Sequence, residues 1–427
     1  MTKHARKSTR LQAIDRPTTA TVQIPLPVLG AFASIERSYF DLCILAGQQV
    51  LDAMMEQDRE ALCGPRWKRD PKRRAGRAGT TPSEVTLGGR RLRMTRPRVR
   101  SQAGEELELP SFAFASRRDP LDAHAMNAVA CGTSTRKYAR SLDTLPAEVT
   151  ARSTSKSAVS RRYVALTTQL TTWLTTPLGD RHFPVVLIDG IILGDHTVLI
   201  ALGIDIEGKK QILGLREGHT EHSRVVKALL RDLVARGLDP DRARLFVIDG
   251  AQALTSALRT VFGPLAAIQR CQFHKQRNIL GHLPEHLHAN VTSVLRDSWA
   301  AGDAALAQRQ LKRLATSLEP NHPGAAASVR EGLDDTLTLQ RLGIHGVLYT
   351  KLRTTNAIEN FNSAIAAYSR NVKRWRNGAM VVRWVSGAIV EAERKFRRVH
   401  GWRDITTLVS ALGDLEATQE AATERVA

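Results

Sequence analysis

From residue 183 onward, short apolar runs alternate with segments of helical periodicity. FPVVLIDG is a continuous apolar run ending at Asp189, and it reads as a strand buried on both faces. HTVLIALGIDIEG and KKQILGLREG follow as two more strands. SRVVKALLRDLVARGL repeats its apolar positions at helical spacing. ARLFVIDG is a second buried strand, ending at Asp249; AQALTSALRTVF is a helix and AAIQRC a short strand. Three strands followed by alternating helices and strands predict an α/β sheet with an antiparallel start. Residues 283–350 carry helical periodicity with little strand signal and interrupt that order. The helical pattern resumes at Asn356 and runs to the end.

Upstream, residues 1–30 form a polar, basic lead that reads as flexible. A helix follows, with Phe32, Ile35, Phe40, Leu42, Ile44, Leu45, Val50 and Met54 near a 3.6 period. In PRWKRDPKRRAGRAGTTPS, the density of Pro, Gly and Arg argues against any regular element. Residues 84–115 carry GG and AG turn signals between alternating segments, which predicts a small β-meander or hairpin pair. Residues 121–170 turn helical again; Gly132 ends one helix, and Ser153 or Ser155 is a candidate N-cap for the last. That last helix carries Lys156, Arg161 and Arg162 and suits the recognition helix of a helix-turn-helix. A plain surface helix of a linker bundle fits the same residues. The expected partition is a lead at 1–30, an N-terminal helical and β DNA-binding region at 31–175, a first core segment at 183–282, an all-helical stretch at 283–350, a second core segment at 351–410, and a tail at 411–427.

Charge changes the picture more than composition does. The 427 residues allow two or three domains, and 42% hydrophobic with 24% charged residues is ordinary for a globular chain. A net charge of +20 and a pI near 10.4 are not ordinary. They point to a polyanionic partner, nucleic acid first and an anionic membrane surface second. Between Arg66 and Arg100 there are thirteen Lys and Arg against Asp70 and Glu84, a net of +11 and over half of the chain's excess. A charge run is often only a solvated face. A block this dense, holding Arg66, Lys68, Arg69, Lys72, Arg73 and Arg74 among turn residues, instead suits a phosphate backbone. Because these cations sit with turn and β signals and not on an amphipathic helix, a membrane surface is the weaker partner. Val185 to Ile206 is the most apolar stretch, but Asp189, Asp195, His196 and Asp205 within it exclude a bilayer span. Cys43, Cys63, Cys131 and Cys271 lack disulfide-scaffold spacing, and the basic N-terminus lacks an apolar signal core. A cytoplasmic, nucleoid-associated protein is the expectation.

Phosphoryl transfer through hard divalent cations needs carboxylates fixed on rigid elements. Asp189 and Asp249 end two apolar strands 60 residues apart, and ligands of open α/β sheets collect beyond such ends. Each Asp alone, before a Gly, is usually a turn residue; the pair on a basic chain favours a site. In RTTNAIENFNSAIAAYSRNVKRW, Thr354 or Thr355 can N-cap a helix that carries Glu359 in its first two turns. Glu359 there also complements a helix dipole, but the polar set Asn356, Asn360 and Asn362 favours a site. Arg370, Lys373, Arg374 and Arg376 suit DNA phosphates, as do Lys275 and Arg277. In QRCQFHKQRN, Cys271 and His274 have metal-pair spacing, yet one pair supplies only two of the ligands zinc needs. His282, His286 and His288 are the available helpers, and a structural or substrate-positioning role is favoured over zinc.

The order of elements resembles the ribonuclease H-like fold. Over roughly residues 80–410 the chain resembles the Mutator-type transposases of bacterial insertion sequences. The resemblance rests on IDG at 188–190 and 248–250, QRCQFHKQRN at 269–278, RTTNAIEN at 353–360, and the tail RNVKRW…VVRWVSGAIVEAERKFRRVHGW. It implies a DDE enzyme with Asp189, Asp249 and Glu359 holding two Mg2+ ions, for which Mn2+ can substitute. Cys271, His274 and Asn356 become accessory residues. The 110 residues between Asp249 and Glu359 match an all-α insertion, with Trp299 inside it, where related transposases handle DNA. The implied partners are transposon terminal inverted repeats and target DNA, bound by a homodimer or higher oligomer. Two departures stand out: Glu221 is followed by Val225 where a Trp is common, and Ala366 and Ala367 lie where a basic residue is common. Two other functions remain. A ribonuclease H-like structure-specific nuclease would lack the long insertion and the large N-terminal region. A catalytically silent DNA-binding regulator would not need an intact triad.

Overall fold

The computed structural model describes residues 35–68, 73, 75–87, 90–117, 151–153, 156–179, 181–218, 223–370 and 372–424. The basic lead and Arg69, Lys72, Arg74, Gly132, Ser155 and Glu221 lie outside the described residues. The chain divides into two compact units near residue 160.

In the first unit, helix α1 (Ile35–Cys63) packs on a small antiparallel sheet. Strand β1 (Ala75–Leu87) pairs with β2 (Arg90–Ser101), which also pairs with β3 (Glu106–Leu107) and β4 (Ala151–Ser153). Helix α2 (Pro110–Arg117) starts on Asp58, whose Oδ2 accepts the Ser111 backbone N–H at 2.7 Å. Val85, Leu92, Val99 and Leu109 fill the unit's core with Ile44 and Met55. The hairpin expected from residue 84 therefore begins earlier, at Ala75. A bulge between Arg77 and Thr80, with Gly79 at φ +77°, absorbs the glycines. Pro82 is tolerated because β1 pairs on one side only, with β2. Helix α3 (Lys156–Leu170) spans the division between the units.

The second unit is built on a five-stranded sheet. Strands β5 (Val185–Leu193), β6 (His196–Ile204) and β7 (Lys210–Gly218) form an antiparallel meander. After helix α4 (Ser223–Ala235), β8 (Arg244–Ile248) adds parallel to β5. Helix α5 (Gln252–Phe262) then leads to β9 (Ala266–Arg270), parallel to β8, giving the spatial order β7-β6-β5-β8-β9. The continuous apolar runs have a direct cause: both faces are covered. Val186, Ile188, Phe246 and Ile248 point into one core with α4 and α5. Val185, Leu187, Leu245 and Val247 point into the other.

That second core is closed by helices from the end of the chain. Helix α6 (Gln272–Leu280) follows β9, and helices α7 (Glu285–Ala300), α8 (Ala304–Leu318) and α9 (Pro323–Arg330) build a third core around Leu295, Leu311 and Val329. Short helices α10 (Thr338–Arg341) and α11 (Gly346–Leu352) return the chain to the sheet. Helices α12 (Asn356–Ser369), α13 (Gly378–Glu393) and α14 (Ile405–Glu424) then cover its second face. The expected tail at 411–427 is thus largely helix: α14 buries Ile405, Leu408 and Leu412, and Glu416 Oε1 accepts the Ala243 N–H at 2.5 Å. Trp299 is a core residue, 3% exposed, with its indole N–H on Thr336 Oγ1 at 3.3 Å. Its ring packs helices and is not offered to a ligand. No helix among the described residues is long and apolar enough to cross a membrane.

Candidate active site

Strand parity places the two aspartates. In the parallel pair, Ile188 stands beside Ile248, so Asp189 and Asp249 follow side by side. Asp249 lies just past β8, whereas β5 does not end at Asp189 as its apolar run suggested but continues to Leu193 because β6 keeps pairing with it. Ile188 and Ile248 point into the α4/α5 core, so the next residue on each strand faces the opposite side, toward α12. Helix α12 packs on β5 through Ile358, Phe361 and Ile365, and the same helix carries Glu359. The three carboxylates predicted from sequence are brought to one place.

Each acid is held by a different device. Asp249 Oδ1 accepts the Ala251 N–H at 2.9 Å across Gly250, whose φ is +98°. Asp189 Oδ2 accepts Asn362 Nδ2 at 2.8 Å. The Glu359 Oε1 accepts the Thr355 hydroxyl and lies 3.7 Å from His274 Nδ1. Burial pushes the Asp189 carboxyl up to about 6; the Gly190 backbone N–H opposes this, the charges of Asp249 and Glu359 add to it, and His274 lowers it. Mutual repulsion of this kind is relieved by a divalent cation. The donor set is rich in oxygen, and Asn362 Oδ1 is buried with no hydrogen-bond donor, so a further acceptor stands beside Asp189. Carboxylate and amide oxygens fit Mg2+ or Mn2+.

Cys271, the residue after β9, and His274 sit against Glu359. One ligand atom from each of the three lies within 4.8 Å of the others. The hydroxyl of Thr355 stands among them, 3.3 Å from Cys271 Sγ and 3.4 Å from His274 Nδ1. Sulfur and imidazole donors suit zinc, but a side chain of the protein fills the space between them. Burial raises the Cys271 thiol, yet hydrogen bonds with His274 and Thr355 outweigh it and leave a net lowering. The bond to Cys271, against the opposing pull of burial, raises His274. His288 bonds the Leu283 carbonyl at 2.9 Å, and neither it, His282 nor His286 belongs to this group.

The predicted basic residues separate by environment. Arg66, Lys68 and Arg73 in the first unit are exposed, as are Arg161, Arg277, Lys373 and Arg374 in the second. The side chains of Lys156 and Arg162 are outside the description. Lys275 departs from expectation. It is 1% exposed, its ammonium is bound to the Glu331 carbonyl, and burial lowers it to about 8. It serves packing and is not presented to a phosphate. Arg270 joins it there, with Nη1 on the Glu331 carbonyl at 3.0 Å. A Cβ on Gly250 would lie 2.1 Å from Arg270 Nε. Gly250→Ala is therefore expected to destabilise the protein by at least about 2 kcal/mol, from the left-handed φ and the clash together. Urea unfolding checks this, and a variant as stable as the wild type would contradict it.

Two residues noted in the sequence, Thr355 as a cap candidate and Asn362 in the polar set beside Glu359, take specific places at the site, Thr355 on Glu359 and Asn362 on Asp189. Thr355, Glu359 and Asn362 stand at i, i+4 and i+7, which is one face of a helix. That spacing marks Asn362 and Thr355 as companions of Glu359. Asn356 is exposed in the first turn of α12 and touches none of the three acids by any hydrogen bond described.

The sequence profile described as "Transposase, Mutator family" matches residues 34–399. The transposase for insertion sequence element IS406 of Burkholderia multivorans is 28% identical over 378 residues, covering 86% of this chain and 94% of that protein. The transposase for insertion sequence element IS256 in transposon Tn4001 of Staphylococcus aureus is 24% identical over 353 residues, 80% of this chain and 87% of its own. The transposase for insertion sequence element IS6120 of Mycolicibacterium smegmatis is 32% identical over 163 residues, 38% of this chain and 49% of its own.

Proposed function

The chain belongs to the Mutator family of transposases, and from that premise we propose that it cleaves DNA at the ends of an insertion sequence and joins the freed 3′ ends to target DNA, using Asp189, Asp249 and Glu359. The observation that carries this reading is the convergence of three carboxylates beside the parallel pair β5 and β8, with Asp189 driven up to about 6 by burial and by its two acidic neighbours. The sheet supports a ribonuclease H-like core: an antiparallel meander followed by two strands parallel to its first. The helices between Glu285 and Leu352 read as an all-α insertion between Asp249 and Glu359.

Asp189, Asp249 and Glu359 would together hold the Mg2+ ions. When bound, such ions supply positive charge at the scissile phosphate and a water of lowered pKa. The protein's own groups do the rest. Asn362 fixes the Asp189 carboxylate, and exposed Arg277, Lys373 and Arg374 in the same unit are placed to meet backbone phosphates. Pairing two transposon ends calls for a dimer or larger assembly on DNA.

Without metal, the Asp189 charge is a burden on the fold. A carboxyl raised from 3.8 to about 6 makes the native state bind more protons than the unfolded one, so stability falls as pH rises through that window. Asp189→Asn is expected to stabilise the metal-free protein by about 2 kcal/mol at pH 8, with no gain near pH 4. Denaturation in chelator at both pH values tests this; no gain at pH 8, or an equal gain at both, would contradict it. Mg2+ should raise the melting temperature of wild type and not of the variant.

The decisive test of function is strand transfer. Purified protein, Mg2+, a labelled transposon-end duplex and a supercoiled target are incubated together. Joined product supports the transposase reading. Cleavage without joining would make the protein a nuclease, and binding with neither would make it a regulator.

A further inference from the structure

Helix α12 starts against a common rule. Thr355 occupies the N-cap position, where a hydroxyl normally accepts a backbone N–H of the first turn and contributes about 1 kcal/mol. Its side chain makes no such bond. The residue is fully buried, at 0% exposure, and its hydroxyl instead meets three functional side chains. A hydroxyl has one proton and two lone pairs. Its closest contact is with Glu359 Oε1, which takes the proton. Cys271 Sγ, 3.3 Å away, is a second and longer acceptor for that hydroxyl, and His274 Nδ1 lies 3.4 Å from the oxygen.

The backbone extends this group to the second aspartate. Cys271 N–H donates to the Ile248 carbonyl at 2.7 Å, one residue before Asp249. Gln272 N–H donates to the Arg353 carbonyl at 3.0 Å, and Thr355 N–H reaches Cys271 Sγ at 3.4 Å. A continuous set of bonds runs from the end of β8, through Cys271 and Thr355, to the Glu359 carboxylate. Only Oε1 of that carboxylate is held by these bonds, which leaves Oε2 for a cation.

We infer that Thr355 is the positioning residue for Glu359: backed by Cys271 and His274, its hydroxyl fixes the orientation in which Glu359 meets the metal, and registers α12 to the Asp249 strand. This rests on the proposed role of Glu359 as a metal ligand. It gives the Cys-x-x-His pair a task that needs no second metal site. A group that orients a metal-binding carboxylate typically changes metal affinity or activity by 10–100-fold when removed.

The test compares Thr355→Val, Thr355→Ser and Glu359→Gln with wild type in the full chain. Strand transfer is titrated with Mg2+, and end binding and melting temperature are measured beside it. Thr355→Val is expected to raise the half-maximal Mg2+ concentration about 10-fold or more. End binding should be unchanged, and Thr355→Ser should return the midpoint to within about twofold of wild type, since it restores the hydroxyl. A Thr355→Val protein with a wild-type midpoint and rate overturns the inference. So does a Thr355→Ser protein as impaired as the valine variant, or a valine variant that loses activity only because it loses fold and end binding. If Glu359→Gln joins DNA as well as wild type, the catalytic reading itself has failed. If Glu359→Gln is inactive while Thr355→Val is normal, only the positioning role has failed.

Discussion

Asp189→Ala is expected to reduce end cleavage and strand transfer by at least about a thousandfold, because several kcal/mol of charge stabilisation at the phosphate depend on the cations it would hold. Glu359→Gln should lose joining by a similar factor. Neither change should disturb the core. Both side chains lie at a partly exposed rim, and the neighbouring Ile188 and Ile358 carry the packing. End binding measured by gel shift should therefore stay within about threefold, since most DNA affinity comes from phosphate contacts made elsewhere. A folded Asp189→Ala protein that no longer binds the end duplex would contradict this division between binding and chemistry. Retained joining would remove Asp189 from the catalytic set.

The second large effect concerns the basic block. Deleting residues 66–100 would be a poor test, because Val85, Leu92 and Val99 are core residues of the first unit. Several of its arginines are also committed within the protein: Arg77 pairs with Glu56 at 2.7 Å, and Arg96 and Arg98 both pair with Glu106 at 2.7 Å. The cations open to solvent include Arg66, Lys68, Arg91, Arg93 and Arg100. Replacing these five by Gln should leave folding intact and weaken binding to all DNA sequences alike. If each meets one phosphate, the slope of log affinity against log salt should flatten by up to about 4.5, at about 0.9 per contact. Fluorescence anisotropy across a salt series measures it. An unchanged slope would move the DNA footprint away from this block.

The clearest failure of sequence reasoning was Lys275. It sits in QRCQFHKQRN among polar residues, and nothing in that string distinguishes it from Arg277 three positions from His274. Helix α6 buries one and exposes the other, and the partner that neutralises Lys275 is Glu331, 56 positions away. The early strand start at Ala75 was hidden because a bulge lets Gly and Pro enter a strand that local rules would end.

The sequence by itself determined the strands that carry Asp189 and lead to Asp249, because a segment buried on both faces must be apolar throughout and announces itself in the chain; that β5 runs on past Asp189 to Leu193 it did not. It also determined the helical phase that puts Thr355, Glu359 and Asn362 on one face, and the charge excess that calls for a polyanion. Only the tertiary structure decided that β5 and β8 are neighbours in register, that α12 folds back over them, and that the Thr355 hydroxyl leaves its cap to reach Glu359. Periodicity is a local property and is written in the chain. Proximity across 60 or 110 residues depends on which faces bury each other, and that is settled only when the whole core packs.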